Sequence, residues 1–424
     1  MNRDTNPPTP YPKDRGQVDQ GRRQFIERIG QAGVLTVAAS PLLGARAFAQ
    51  QAAAPPAPIP GTVPNAAIMA EKDPAVKVLT ERPLTASATA EYLHDEVTPT
   101  ARLFIRNNLL TPDLDAATLR LRVTGLVDKP LDLSVEELQR RFPNVTLQAM
   151  LECAGAGRTA FSPVPRGTPW PATGGMGCPK WTGVRLRDLL SAAGVKGGAV
   201  HVAFLAADFG ELATAPPVVR SIPLAKAVEP NTLVAWGLNG APLPKVHGYP
   251  LRALVPGWVG SASIKWLVGI EVLDAPFKGT YMDDSYRIPA YPVAPGERMP
   301  KETVYTEAWP IKSIITHPAP GAKFRPGAPV MIAGRAWAGD LEVDRVEISL
   351  DEGVTWRRAR LSRPRDKYAW RLFTYEWTPR ERGYVTVLAR ATDDRGNIQP
   401  MVARWNPLGY FWNGIHRVGF SIES

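Results

Sequence analysis

Leu151-Glu152-Cys153-Ala154-Gly155-Ala156-Gly157-Arg158 is the stretch on which the reading of this chain turns. A thiolate suits soft or high-valent redox metals, and small residues after it let a bulky cofactor approach the backbone. The guanidinium of Arg158 can pair bidentately with an oxyanion. The same residues suit a plainer reading, a cysteine that merely fills a core. Taken alone, the stretch leaves both open.

The 424 residues exceed what one hydrophobic core usually serves, so two domains plus some non-structural sequence are expected. Hydrophobic residues at 44% and charged residues at 21% are globular values and give no support to wholesale disorder or a multi-span membrane protein. The net charge is +10, and the first 49 residues hold seven Arg/Lys against four acids. The remainder, about +7, suits anionic substrates or an acidic partner. No Lys/Arg cluster is interleaved with aromatics in a recognisable module, so nucleic acid is not an expected partner. Cys153 and Cys178 are the two cysteines, too few for a disulfide framework, a zinc ribbon or an iron–sulfur set. Any metal must bring its own scaffold. Without a C-x-x-C-H run there is no covalent c-type haem, and an electron acceptor would be a separate protein.

Gly21-Arg22-Arg23-Gln24-Phe25-Ile26 precedes a mildly apolar stretch over residues 29–43, and Ala47-Phe48-Ala49 follows at cleavage spacing. This reads as a twin-arginine export signal over residues 1–49, with a periplasmic location following from it. The apolar stretch is shorter than the roughly 20 residues of a spanning helix, so no membrane span is expected. Residues 50–64 are rich in Ala and Pro and read as a flexible linker, the first part of an N-terminal extension reaching to residue 83. Over residues 84–305 short strand signals, such as Leu119-Arg120-Leu121-Arg122-Val123, mix with helical pieces. One of these opens with a capping box, Ser134 to Glu137. Pro and Gly recur every few residues, which predicts an irregular α+β domain with long ordered loops rather than a βαβ succession. Residues 306–424 change character to alternating strands separated by turn signals such as Asp394-Arg395-Gly396-Asn397. An all-β, immunoglobulin-like sandwich is expected there.

Seven separated motifs, in order and at matching spacing, resemble the sulfite oxidase family of molybdopterin enzymes, from about residue 84 onward. Phe104-Ile105-Arg106-Asn107-Asn108 resembles the first cofactor and substrate loop. Cys153 falls where the family's molybdenum-ligating cysteine lies, with Arg158 beyond it. Arg166 and Trp170 resemble a basic residue and a tryptophan near the substrate pocket, and Asp208 in Ala207-Asp208-Phe209-Gly210 a pterin contact. His247-Gly248-Tyr249-Pro250-Leu251-Arg252, with Ser263-Ile264-Lys265-Trp266, resembles the cradle for the pterin and its phosphate. Tyr286 resembles a tyrosine beside the metal, and the run from Trp405-Asn406 to His416-Arg417 the closing segment of a dimerisation domain. Two positions depart from the pattern. Asn108 stands where a histidine is common, and Asn406-Pro407-Leu408-Gly409 lacks an arginine that sulfite oxidases often carry, a gap that Arg166 partly fills. The thiol of Cys178 is read as structural.

The resemblance implies a molybdenum–molybdopterin cofactor held through Cys153, and a pocket in which Arg106, Arg158 and Arg166 orient sulfite, with Trp170 near the substrate and Tyr286 beside the metal. It further implies sulfite oxidation to sulfate, an external c-type cytochrome or haem subunit as acceptor, and a homodimer. A second reading keeps the cofactor but acts on carrier-bound sulfane sulfur, or reduces a sulfoxide or another oxyanion. The third, from a different class, is a non-enzymatic periplasmic binding protein.

Overall fold

The computed structural model describes residues 59–363 and 365–423. The twin-arginine segment and residues 50–58 of the Ala/Pro-rich stretch lie outside the described residues. Residues 59–83, expected to precede the folded domain, fold with it instead. Helix Asn65–Ala70 leads into an antiparallel sheet of Lys77–Thr80, Thr85–Ser87 and Ile105–Arg106. Ile68, Val76, Leu84, Ala86 and Ile105 are buried there together with Val246. Once the Ala/Pro run ends, large apolar side chains recur often enough to cover a face, and burying them outweighs the freedom of a linker.

The domain behind this extension is α+β and irregular. One sheet runs Val219–Pro223, His201–Ala206, Leu267–Leu273, Arg120–Gly125, Leu131–Ser134, and the Leu267–Leu273 and Arg120–Gly125 pair is parallel. The other runs Ala241–Pro242, Leu233–Leu238, Lys180–Arg185, Asn144–Gln148, with Arg252–Leu254 pairing Leu233–Leu238. Helix Val135–Arg141 starts at the predicted capping box, where Ser134 Oγ accepts from the Glu137 N–H at 3.1 Å. Helix Leu186–Ala193 buries Leu186, Leu189, Leu190 and Ala193, the period of one helical face, and stops at Gly194 with φ 68°. These faces meet in the main core with Leu121, Val123, Phe204 and Ile270.

The C-terminal strands form the expected sandwich. A sheet of Lys312–His317, Val330–Trp337, Arg371–Trp377 and Arg360–Leu361 faces one of Lys323–Phe324, His416–Ile422, Gly383–Asp393, Val343–Ser349 and Arg357–Arg358. Ile332, Val346, Phe373, Val387 and Phe420 fill the space between them. The sandwich also grips the chain on both sides of Cys153. Lys312 pairs with Glu152 at 2.7 Å, both fully buried, and the Trp337 indole N–H donates to the same carboxylate at 2.8 Å. Beyond the cysteine, the Phe411 N–H donates to the Ala154 carbonyl at 3.0 Å. Among the described residues no helix is long and apolar enough to cross a membrane.

Candidate active site

Strand Leu151–Glu152 pairs with Met176–Gly177, and the chain then leaves the sheet with the Cys153 N–H donating to the Gly175 carbonyl at 2.9 Å. A tight turn follows, closed by the Ala156 N–H on the Cys153 carbonyl at 2.9 Å. Gly157 sits at φ 85°, and a Cβ there would lie 2.6 Å from the Trp412 ring, so the glycine serves both turn and packing. The turn delivers the Cys153 thiol to a cleft. Phe104, Arg106, Asn108, Asp208, His247 and Arg252 stand in its wall, as do Ser263, Ile264, Lys265 and Tyr286. Burial pushes the thiol up; Arg106 is the chief opposing influence, ahead of the Gly155 N–H and Arg158. A free Cys153 therefore keeps its proton until a cation displaces it.

One end of the cleft is cationic. Arg252 is 2% exposed, donates to the carbonyls of His247 (3.0 Å) and Ser263 (2.8 Å), and lies over the Trp181 ring. Burial lowers its pKa to about 9. Lys265 opens on the cleft, bonds Asn107 Oδ1 and the Val246 carbonyl, and is held well below the ordinary lysine range by burial and then by Arg252. His247 is depressed in the same way, by burial and then by Lys72, Lys265 and Arg252. None of Arg106, Arg252 and Lys265 joins an ion pair among the described residues. Asp208 is the acid of the wall. Burial lifts it to about 6 against the pull of Lys265, and its Oδ1 is buried with no partner.

The other end is aromatic. Tyr286 adopts φ 56°, unusual for a residue with a side chain, and its carbonyl is held by the Thr306 N–H (2.8 Å) and hydroxyl (3.0 Å). Its hydroxyl donates to Asn108 Oδ1 at 3.1 Å, and its ring stacks on Tyr410 with centroids 5.6 Å apart. The Arg220 guanidinium also lies over the Tyr286 ring, 4.8 Å from its centroid.

Several expected residues sit elsewhere. Strand alternation turns Phe104, Arg106 and Asn108 into the cleft, whereas Ile105 packs in the N-terminal core and Asn107 lies behind, holding Lys265. Arg158 is buried, but its guanidinium donates to the carbonyls of Leu408 (3.0 Å) and Thr168 (2.9 Å) and does not line the cleft. It ties the segment lacking an arginine to the cysteine turn. Arg166 is exposed on the surface loop. Trp170 is fully buried beneath the site, edge-on to Phe104 at 5.9 Å. Cys178 is buried away from the cleft, its thiol pushed up to about 12 by burial. Trp266, Ser261 and Tyr410 were not singled out by sequence, although all three lie in or beside quoted motifs. Arg220 and Lys72 had no signal at all.

These residues fit the cofactor that the resemblance implies. Buried cations without carboxylate partners fit a phosphate, and the unpartnered Asp208 Oδ1 fits an N–H donor such as a pterin ring carries. A single thiol at the far end fits a metal whose remaining ligands come with the cofactor. Among the described residues no group of three or more His, Cys, Asp or Glu side chains could hold a metal alone.

Comparison with known proteins agrees. Residues 108–281 match the model of an oxidoreductase molybdopterin binding domain, and residues 303–423 that of a Mo-co oxidoreductase dimerisation domain. The chain is 34% identical to mitochondrial sulfite oxidase of Rattus norvegicus, over 82% of this chain and 66% of that protein. It is 35% identical to sulfite oxidase of Gallus gallus, over 82% of this chain and 78% of that one. The chain thus spans just under two thirds of the length of its mammalian relatives. Among solved structures, the sulfane dehydrogenase SoxCD from Paracoccus pantotrophus matches with TM-score 0.70 and 27% identity, covering 90% of this chain and 96% of that chain.

Proposed function

This chain belongs to the sulfite oxidase family of molybdopterin enzymes, and we propose that it oxidises sulfite to sulfate with molybdenum–molybdopterin as its cofactor. The observation that carries the reading is one cleft joining a lone thiol, Cys153, to the unpaired cations Arg106, Arg252 and Lys265. Cys153 would hold the metal as a thiolate. His247, Arg252, Ser263 and Lys265 would hold the phosphate-bearing end, and Asp208 would accept from the ring. The bound cofactor supplies oxygen-atom transfer and a two-electron redox couple. Overall, sulfite and water give sulfate, two protons and two electrons.

The protein's part is binding, orientation and proton handling. Arg106, beside the thiol, presents a fixed fork to a sulfite oxygen, a charge-assisted contact worth about 1.5–3 kcal/mol. The Tyr286 hydroxyl, braced by Asn108 and the Tyr410 ring, is positioned to hold or pass a proton near the reacting atoms. The electrons would leave singly to a c-type cytochrome. We further propose a periplasmic enzyme, exported by the twin-arginine signal, and a homodimer assembled through residues 303–423.

Purified protein containing molybdenum should reduce cytochrome c or ferricyanide when sulfite is added; loaded protein that stays inert would end the sulfite assignment. One observation favours a second reading, oxidation of sulfane sulfur on a carrier. Of Arg106, Arg158 and Arg166, the first alone lines the cleft, a weaker anion ring than three arginines promised. Assaying free sulfite beside a thiol-linked sulfane separates the two.

A further inference from the structure

Lys72 lies outside both segments matched by the family models, just past helix Asn65–Ala70. It is half-buried, and its Nζ stands 3.0 Å from the Thr100 carbonyl, 2.9 Å from the Leu103 carbonyl and 2.7 Å from His247 Nε2. An ammonium carries three hydrogens and no lone pair, so with these three neighbours His247 Nε2 must accept. The imidazole proton then sits on Nδ1. His247 is 3% exposed and lines the cleft, and no protein partner for its Nδ1 occurs among the described residues. Arg252 and Lys265 grip the same turn from the other side, donating to the carbonyls of His247 and Val246.

We propose that Lys72 is a positioning residue for the cofactor: its ammonium locks His247 as a neutral Nδ1–H donor aimed at the phosphate-bearing end of the pterin. This rests on the molybdopterin reading of the cleft. The charge state of Lys72 decides the ring's polarity. As an amine it would donate to the two carbonyls and accept from His247 Nε2–H, leaving a lone pair on Nδ1 that repels an anion. Burial lowers Lys72 to about 7, with neighbouring Glu71 pulling upward. Lys265 and Arg252 add positive charge around the same ring. A bound anion and a proton on Lys72 therefore favour one another. The N-terminal extension becomes part of the cofactor site through this one side chain.

The test uses the full chain made in a host that synthesises the cofactor, in wild type, Lys72→Met, Lys72→Arg, His247→Ala and the double variant Lys72→Met/His247→Ala. Molybdenum and oxidised-pterin fluorescence are measured per chain after dialysis, with thermal unfolding of cofactor-free protein as the folding control. Lys72→Met should lower both contents on the order of 10-fold, as loss of a ligand's outer partner does. Lys72→Arg should restore part of the loss. The double variant should lose no more than His247→Ala alone, because the lysine acts through the imidazole. Should Lys72→Met not fold, Lys72→Ala, which removes the donor to His247 and leaves room for water beside the two carbonyls, carries the same comparison. Wild-type contents in the methionine or alanine variant, or independent losses in the double variant, overturn the inference. A wild-type chain lacking both molybdenum and pterin would instead overturn the cofactor reading itself.

Discussion

Two lysines near the cysteine turn, Lys312 fully buried and Lys265 partly so, are treated in opposite ways. At the domain junction Lys312 is fully buried against an equally buried Glu152, with the Trp337 N–H on the same carboxylate. In the cleft Lys265 has backbone and amide oxygens but no carboxylate partner, and it stands beside the equally unpaired Arg252. A buried charge is expensive, and a protein normally supplies its counter-ion. The junction does so within the chain. The cleft does not, which marks it as a place where the counter-ion arrives with a ligand.

Mutations at the two sites should therefore differ in kind. The largest effect belongs to the junction: Lys312→Met strands Glu152 in the interior, where burial already pushes its carboxyl up. Unfolding free energy should fall by about 3–5 kcal/mol in denaturant titrations. A loss under 1 kcal/mol would mean that the junction's pairing is dispensable and the contrast is false.

Next comes Asp208, the unpartnered acid of the cleft. Its folded pKa, about 6, lies above the ordinary 3.8, so the folded state holds its proton more tightly. Cofactor-free protein should thus lose stability as pH rises from about 4 to 6, by up to about 3 kcal/mol from this group. Asp208→Asn should flatten that part of the pH–stability curve, and cofactor binding should flatten it too by giving Oδ1 a donor. An identical slope in the variant would refute the assignment.

Lys265→Met sharpens the contrast through its sign. Without cofactor the variant should be as stable as wild type or more so, since an uncompensated charge is gone. Cofactor binding should weaken by about 1.5–3 kcal/mol, read as molybdenum and pterin per chain. Destabilisation as large as that of Lys312→Met would make Lys265 a structural lysine. Arg220 is the intermediate case, buried with an unpartnered Nε but held by the carbonyls of Tyr281 (2.9 Å) and Thr306 (3.3 Å) and by the Tyr286 face. Gains and losses nearly offset there. Arg220→Met should change stability by about 1 kcal/mol or less in the same titrations.

Legibility in the sequence followed the range of the interaction. The cysteine turn, the capping box at Ser134 and the cradle residues 247–252 and 263–266 act over a few positions, so residue type and spacing reveal them. Phe104 through Asn108 was recognisable as a motif, yet strand alternation sends Ile105 and Asn107 away from the cleft, and the motif does not say which parity faces inward. Asn108 stands in the sequence only as a departure from a common histidine. Its carbonyl instead accepts from the Tyr286 hydroxyl, 178 positions away in sequence.

What the linear chain determined by itself was local chemistry and order: a lone thiol in a glycine-rich turn, cationic motifs downstream, and an α+β domain before an all-β one. Only the folded molecule decided that Arg158 braces a loop, that Glu152 takes its counter-ion from the sandwich, and that Lys72 reaches His247. Backbone preferences and turns are settled by near neighbours. The direction of a side chain and the identity of its counter-charge are settled by whichever distant segment packs against it.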